Sequence, residues 1–407
     1  MNLSSFIARR YFFSGKKKNF IQILSLISMI GVAFGTMALV IVLSVFNGLE
    51  DFIRKLYSSF DPELKIHAAV GKSFLLEDFP SKEILKIDAV AGITEIIEES
   101  AYIKHKTAEM VVTLKGVSSQ FIKDGRLKEN LVEGKLVLTE GKTEFAIMGR
   151  GVQNTLDIVS LEDINPIQVY YPRRNANMLD PLNSVNHQMI FAGGVFAIEK
   201  QFDMNFMITS IRFAENLFDY KGRRTGMEIT LVENGNAAEV KKQLAAILGD
   251  KYKILTRDEQ HSSLIRAIKW EKLFVYLTFS FIIAVSAINI FFSLTMLALD
   301  KRKDIAILRA MGSDRQTIRN IFFKEGAIIG FTGAGTGLIL GIIVCLIQQK
   351  FGLISLGIET SVISAYPVMM KPLDFVFAAF SIILITVVFS IRPAVLAARL
   401  SIIQYIS

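Results

Sequence analysis

Hydrophobic residues form four long uncharged stretches in this chain of 407 residues. The stretch from Leu273 to Leu299 runs for 27 positions without a charged side chain and then meets the charged run 300–304. An α-helix rises about 1.5 Å per residue, so this stretch would be about 40 Å long, whereas the hydrocarbon core of a bilayer is about 30 Å thick. The pattern therefore predicts a membrane-spanning helix.

Three further uncharged stretches cover residues 20–46, 327–348 and 375–391. Lysine and arginine close to a span resist translocation and stay in the cytoplasm. Basic residues precede the first stretch at positions 9–18, lie between the second and third at 301–324, and follow the fourth at 392 and 399. We therefore expect a multi-pass membrane protein with both termini in the cytoplasm.

The distribution of charge agrees with this topology. Residues 48–270 contain 29 Lys and Arg and 31 Asp and Glu, a net charge of −2. Because the whole chain has a net charge of +8, the residues outside this segment have a net charge of +10. The basic excess is juxtamembrane and suits the anionic inner leaflet. It has no interleaved aromatic residues and no zinc motif, so nucleic acid is not an expected partner.

The expected fold class is an α-helical membrane protein with four transmembrane helices (1+3) and a large α+β periplasmic domain inserted between helices 1 and 2. The predicted segments are a basic cytoplasmic N-terminus (1–19), helix 1 (20–47), the periplasmic domain with stalk helices at both ends (48–270), helix 2 (271–299), a cytoplasmic coupling helix and loop (300–326), helix 3 (327–348), a short periplasmic loop (349–373), helix 4 (374–391) and a cytoplasmic tail (392–407).

Within the insert, alternating or β-branched runs predict strands at 64–68, 109–115 and 227–231, and residues 237–248 have the pattern of a helix. The two edges of the insert show helical periodicity continuous with the spans. One helical face is formed by Leu49, Phe52, Ile53, Leu56, Tyr57 and Phe60. The edges are interpreted as stalk helices, and amphipathic helices lying on the membrane surface are the alternative.

A short amphipathic helix is predicted between the second and third spans. Ile305, Leu308 and Met311 fall on one stripe among charged neighbours, and Gly312 is a natural end for the helix. Such an element is suited to docking a cytoplasmic partner. A linker lying on the lipid headgroups fits the periodicity equally well.

The sequence lacks the residue patterns of catalysis, so no enzymatic activity, cofactor or metal site is expected. Cys345 is single and lies within the third span. The four histidines have no ligand spacing. Gly71-Lys72-Ser73 and Gly141-Lys142-Thr143 lack the first glycine of a phosphate-binding loop.

The glycines of the third span predict helix packing. Gly333, Gly337 and Gly341 have the small-xxx-small spacing that lets two helices approach closely. Asn47 and Asn289 are expected to form hydrogen bonds within the bundle.

Several segments together resemble the FtsX/MacB-type permeases and, more closely, the LolC/LolE-type subunits of the lipoprotein-releasing ABC transporter. They are the basic start, residues 30–35 and 42–48 of the first span, the segment 301–312, and the terminal run 392–400. The resemblance covers nearly the whole chain, although the insert matches only loosely. The tail 401–404 departs from the family, which commonly has a proline and an acidic residue there.

The resemblance implies a permease of the bacterial inner (plasma) membrane, which works as a homo- or heterodimer beside cytoplasmic ABC ATPase subunits. Such a complex extracts lipoprotein from the inner membrane and passes it to a periplasmic lipoprotein carrier.

Three groups of site residues follow as expectations. The ATPase-coupling residues are Lys301, Arg302, Lys303, Asp304, Ile305, Leu308, Arg309, Met311 and Gly312. The lipid or substrate cavity comprises Leu39, Val40, Leu43, Phe46, Phe274, Leu277 and Phe281. The carrier-binding loop, predicted as the tip of a hairpin, comprises Pro172, Arg173, Arg174, Met178 and Pro181, and an ordinary solvent loop is its alternative.

Two rival functions stay open from sequence. One is an FtsX-like mechanotransmitting regulator of a periplasmic cell-wall hydrolase, although the exported domain of such proteins is usually much smaller. The other is a MacB-like efflux permease, although that protein carries its ATPase fused to the N-terminus.

Overall fold

The computed structural model describes residues 3–13, 20–161, 163–173, 185–233, 235–355 and 365–399. The chain forms two compact units. The described residues of the first, which we call the membrane unit, fall within Met1–Phe52, Arg266–Gly357 and Ile363–Ser407. Those of the second, which we call the α/β unit, fall within Ile53–Ile265.

The helices are numbered in chain order as α1 (Leu3–Phe13), α2 (Phe20–Ser58), α3 (Ser81–Ile84), α4 (Gln120–Lys123), α5 (Arg150–Thr155), α6 (Lys200–Asn205), α7 (Ile211–Phe218), α8 (Ala237–Leu248), α9 (Arg257–Gln260), α10 (Ser262–Asp300), α11 (Arg302–Ala310), α12 (Arg315–Phe351) and α13 (Pro372–Arg399). Among the described residues, α2, α10, α12 and α13 are long and apolar enough to cross a membrane. The four predicted spans are confirmed as candidate membrane helices.

The four helices extend beyond their uncharged stretches. The amphipathic periodicity after the first span continues α2 to Ser58, and the matching pattern before the second span starts α10 at Ser262. The sequence prediction ended the fourth span at Ile391, but α13 continues through Pro393 to Arg399. A proline removes one backbone hydrogen bond, and the turn after it is held because Ala394 is buried against neighbouring helices.

Small residues bring the membrane helices into close contact, as the glycine spacing predicts. A Cβ atom added at Gly337 would lie 2.3 Å from the carbonyl oxygen of Ala33 in α2. The same addition at Gly333 would lie 2.7 Å from the carbonyl oxygen of Met29. Gly330 instead faces Thr386 of α13. The glycines of α12 therefore pack against two different helices.

The strands are β1 (Leu64–Ala68), β2 (Phe74–Leu75), β3 (Val90–His105), β4 (Ala108–Val117), β5 (Leu131–Gly134), β6 (Thr139–Glu140), β7 (Thr143–Gly149), β8 (Ile167–Pro172), β9 (Val185–Phe196), β10 (Phe206–Ser210), β11 (Arg223–Arg224), β12 (Gly226–Leu231) and β13 (Tyr252–Thr256). The three predicted strands correspond to β1, β4 and β12, and the predicted helix is α8. The sequence predictions for these four elements are confirmed.

A mixed sheet organises the α/β unit in the strand order β13-β1-β12-β3-β4-β10-β7-β9-β5, with β8 pairing to β3 and β9. The pairs β4–β10 and β7–β9 are parallel and the other pairs of this sheet are antiparallel. One hydrophobic core lies around β1, β12 and α8, with Ile66 and Leu244 at its centre. A second lies around β4, β7 and α7, where Leu114 and Leu217 are fully buried. The α/β unit thus has separate apolar centres along one sheet.

A buried ionic cluster crosses the same sheet. The Glu228 carboxylate lies 2.7 Å from the Lys115 ammonium and 2.7 Å from the Arg126 guanidinium. Burial alone would raise the pKa of Glu228, but the neighbouring charges of Lys115 and Arg126 outweigh it and hold that pKa below its usual range. Burial lowers the pKa of Lys115 against the opposing attraction of Glu228. Each charge depends on its partners for compensation.

Candidate functional site

The predicted coupling segment forms α11, between the membrane helices α10 and α12. Its end is fixed by a pair of hydrogen bonds characteristic of a Schellman motif, in which Ser313 N donates to Leu308 O and Gly312 N donates to Arg309 O, both at 3.0 Å. Gly312 adopts φ +93°, a value that L side chains rarely take. The chain then starts α12, where the Asp314 side chain accepts a hydrogen bond from Thr317 N. Both ends of the segment are therefore set by local sequence.

The apolar stripe predicted on this helix does not form one surface. Ile305 is buried in the membrane unit, against Leu297 and Phe322. Leu308 is half-buried, and Met311 is 79% exposed. Ile305 therefore fixes α11 to its own bundle and is unavailable to a separate protein. This differs from the sequence expectation, because at 3.6 residues per turn Ile305 and Met311 lie about 120° apart around the helix axis and so face different surroundings.

Ile307 is a surface residue that the sequence interpretation missed. Its side chain is 59% exposed, four positions before Met311, so the two side chains lie on the same side of the helix. The flanking Arg302, Lys303 and Asp304 are also exposed. The surface of α11 that a partner could contact thus consists of the apolar side chains Ile307 and Met311, with charged side chains beside them.

The N-terminal helix α1 is a second feature that the sequence interpretation missed. The Lys324 ammonium in α12 donates to the Ser5 hydroxyl in α1 at 2.8 Å, and Ala8 is fully buried. The Lys301 ammonium lies 5.8 Å from the centre of the Tyr11 ring. Burial, together with the charges of Asp304 and Glu325, raises the pKa of Tyr11 to about 12. The helix α1 therefore lies beside the coupling segment and carries a neutral hydroxyl there.

The residues predicted to line a lipid or substrate cavity separate into two groups. Leu39, Val40 and Leu43 of α2 are buried, with Leu39 and Leu43 packed against α10 and α12, and Phe46 is half-buried. Glycine spacing explains this difference from the prediction, because Gly341 leaves room for Val40 to approach α12.

The second group lies on α10 and is open. Phe274, Leu277 and Phe281 are 62%, 53% and 69% exposed. Their spacing of three and four residues places them along one side of the helix. Within this chain, the larger apolar surface is therefore the side of α10. Leu39 and Val40 of α2 do not contribute to it, whereas Leu43 lines a small cavity beside Leu273 and Tyr276.

A polar cluster joins the three helices α2, α10 and α13. Asn47 is fully buried, and its amide nitrogen donates to the Asp374 carboxylate at 2.5 Å. The Lys272 ammonium donates to the Asn47 carbonyl oxygen at 2.8 Å and to both carboxylate oxygens of Asp374 at 3.1 Å. The expectation that Asn47 bonds within the bundle is confirmed.

The segment predicted to bind a carrier lies at the end of a confirmed hairpin. Strands β8 and β9 pair in antiparallel register from Ile167 opposite Ile190 to Pro172 opposite Val185. Arg173 Nε donates to Asn186 Oδ1 at 2.7 Å. Of the predicted carrier-binding residues, Pro172 ends β8 and Arg173 follows it, whereas Arg174, Met178 and Pro181 lie outside the described residues.

Comparison with known families identifies two regions of the chain. Residues 276–402 match the FtsX-like permease C-terminal family, and residues 25–167 match the MacB-like periplasmic core domain. Among solved structures, the periplasmic region of MacB from Actinobacillus actinomycetemcomitans is 12% identical, with a TM-score of 0.36 over 49% of this chain and 91% of that one.

Curated relatives cover most of the chain. The lipoprotein-releasing system transmembrane protein LolC of Buchnera aphidicola is 28% identical over 85% of this chain and 84% of its own length. The lipoprotein-releasing system transmembrane protein LolE of Haemophilus influenzae is 24% identical over the full length of both chains. The resemblance inferred from sequence is therefore confirmed, and the chain is similar to the LolC/LolE-type permeases within the FtsX/MacB-like group.

Proposed function

We propose that this chain is the permease subunit of an ABC transporter that extracts lipoproteins from the inner membrane and hands them to a periplasmic carrier. The observation that carries this function is the similarity to lipoprotein-releasing system proteins along most of the chain. A separate cytoplasmic subunit hydrolyses ATP, and a second permease chain completes the membrane part. The rival functions, a cell-wall regulator and an efflux permease, have weaker support because LolC and LolE relatives match along most of the chain.

In the proposed topology, one span precedes the exported α/β domain and three follow it, with both termini in the cytoplasm. The proposed segment boundaries are those expected from sequence, and the ends of α2 and α10 serve as stalks. Because α2 and α10 are each unbroken over 39 residues, they suit the transmission of movement from the cytoplasm to the periplasm. The α11 helix receives the movement of the ATPase at Ile307 and Met311, with Arg302 and Lys303 beside them.

The coupling role can be tested by placing a charge on the exposed pair. In Met311→Asp, desolvation of a carboxylate in the contact should reduce co-purification of the ATPase subunit at least about tenfold. Leu353→Asp is a matched control, since Leu353 is 72% exposed at the other end of α12 and should leave co-purification unchanged. Normal assembly and turnover of Met311→Asp would favour the headgroup-linker interpretation of α11.

The cargo is proposed to lie against the exposed side of α10. Burial of acyl chains there is favourable by about 0.8 kcal/mol per methylene group, so the site requires apolar surface and no charged group. The exposed residues Phe274, Leu277 and Phe281 provide this surface. The carrier is proposed to bind at the β8–β9 hairpin.

Photo-crosslinking tests the cargo assignment in the intact complex. A crosslinker at Phe281 should capture lipoprotein without ATP and lose it when ATP is added. A crosslinker at Phe380 of α13, which is 63% exposed, is the control and should capture no lipoprotein. If Phe281 captures no lipoprotein and depletion of the protein leaves lipoprotein sorting normal, the cell-wall regulator becomes the leading function.

A further inference from the structure

A cavity of about 260 Å³ lies in the membrane unit beside the polar cluster of Asn47, Lys272 and Asp374. Its apolar wall consists of Leu43, Leu273, Tyr276 and Phe377, and its polar rim of Lys269, Lys272 and Asp374. The cavity therefore combines a hydrocarbon surface with a charged rim, as a site for an amphiphile requires.

The rim carries an uncompensated positive charge. Lys272 is paired with Asp374, and the fully buried Asn47 holds both groups in place. Lys269 is exposed one turn earlier in α10, and among the residues that the structure describes no carboxylate forms an ion pair with it. Two ammonium groups and one carboxylate leave one net positive charge at the cavity.

Aromatic side chains indicate the depth of this rim in a bilayer. Trp270, which is 59% exposed, is adjacent to Lys269, and Tyr276 lines the cavity below. Tryptophan and tyrosine concentrate at membrane–water interfaces, where lysine side chains also extend their ammonium groups towards the headgroups. The charged rim is thus at the level of lipid headgroups, and the apolar wall is at the level of the first acyl methylenes.

We infer that this cavity binds a phosphate-bearing diacyl lipid of the surrounding membrane. The phosphate monoanion lies at Lys269 beside Lys272 and neutralises the net charge of the rim. One acyl chain lies along Leu273, Tyr276 and Phe377. The ligand is distinct from the proposed cargo, because a protein anchored by acyl chains alone brings no phosphate to the ammonium groups. The inference does not depend on which protein the complex transports.

Native mass spectrometry of the full chain in detergent provides the test, with phosphatidylglycerol as the probe and a diacylglycerol of identical acyl chains as its uncharged counterpart. The wild-type chain should retain phosphatidylglycerol in preference to diacylglycerol. Lys269→Gln should weaken phosphatidylglycerol binding about fivefold and leave diacylglycerol binding unchanged, because only the phosphate contact is lost.

Two further variants make the result specific to the cavity. Lys350→Gln removes an exposed lysine at the end of α12 and should leave phosphatidylglycerol binding unchanged. Leu273→Trp fills the cavity from its wall and should weaken the binding of both lipids. Equal losses in Lys269→Gln and Lys350→Gln, or equal binding of the two lipids, would show adventitious annular lipid only and overturn the inference. Full displacement of phosphatidylglycerol by inorganic phosphate would overturn the lipid assignment in favour of a free-phosphate site.

Discussion

The two units differ in the contacts that dominate at their centres, although the Lys272–Asp374 ion pair also lies within the membrane unit. In the membrane unit, glycines let helix backbones approach so closely that a single methyl group at Gly337 would reach a carbonyl oxygen of α2. In the α/β unit, a buried carboxylate and two buried cations cross the centre of the sheet. Helices in a lipid environment gain little from hydrophobic burial and must rely on close packing, whereas a water-exposed unit can enclose charges within an apolar core. The same chain should therefore respond differently to a change of volume and to a change of charge.

The largest expected effect is removal of the central charge of the α/β unit. Glu228→Gln removes the carboxylate nearest to the buried Lys115 and Arg126, of which Arg126 keeps only Asp124 at 4.0 Å, and should destabilise the unit by about 3–5 kcal/mol. Urea-dependent pulse proteolysis of the detergent-solubilised chain would measure this loss. Glu259→Gln, at an exposed ion pair with Lys241, is the control and should cost no more than about 1 kcal/mol.

A combined variant sharpens the same prediction. Replacement of Lys115, Arg126 and Glu228 together by Met removes all three charges, so most of the lost stability should return. If the triple variant is no more stable than Glu228→Gln, loss of packing around the cluster explains the lost stability. The α/β unit would then not be more sensitive to charge than to volume.

The next effect is a change of volume in the membrane unit. Gly337→Ala places a methyl group 2.3 Å from the carbonyl oxygen of Ala33, so α2 and α12 must separate, at a cost of about 1–3 kcal/mol. Gly335→Ala, two positions away, is the matched control because no atom lies within 4 Å of the added methyl group. Thermal denaturation in detergent should show a lower Tm for the first variant alone. Equal shifts would mean that helix propensity dominates over the contact.

The smallest effect concerns pH and the α/β unit. Burial raises the pKa of Asp203 to about 6 and outweighs the lowering effect of hydrogen bonds from the backbone amides of Ile198 and Glu199. The unfolded chain releases this proton near the ordinary value of 3.8, so protonated Asp203 favours the folded state and its contribution is lost as pH rises from 3.8 to about 6.

Between pH 5 and pH 7 this loss should be about 1 kcal/mol. Asp203→Asn should remove that part of the pH dependence, as measured by urea unfolding at both pH values. The exposed Asp219→Asn should retain it. An unchanged pH dependence in Asp203→Asn would assign it to other groups.

Local patterns predicted those parts of the molecule whose interactions are local or periodic. The strands β1, β4 and β12 and the helix α8 follow from alternation and helical spacing, and the glycine contacts of α12 follow from positions separated by four residues. The hairpin of β8 and β9 likewise follows from a short apolar run followed by turn-forming residues.

The parts that sequence did not predict depend on contacts between distant segments. Whether Leu43 and Phe281 share a surface is decided by which sides of α2 and α10 the other helices cover, and periodicity along one helix contains no such information. Ile305 is buried for the same reason, through Leu297 and Phe322. The cluster of Lys115, Arg126 and Glu228 combines residues from separate elements whose charges look solvent-exposed in sequence.

The contacts of the α12 glycines with α2 form late in the assembly of the protein. Gly333 and Gly337 approach backbone positions of α2 that precede them by about 300 residues. At a synthesis rate of about 5–20 residues per second, α2 exists for about 15–60 seconds before its partner has been made. During that interval the α/β segment and then α10 are synthesised, while the contacts of α2 with the α12 glycines are still missing. The first helix therefore has to remain inserted on its own hydrophobicity, and its glycine contacts stabilise the finished bundle without assisting the initial insertion.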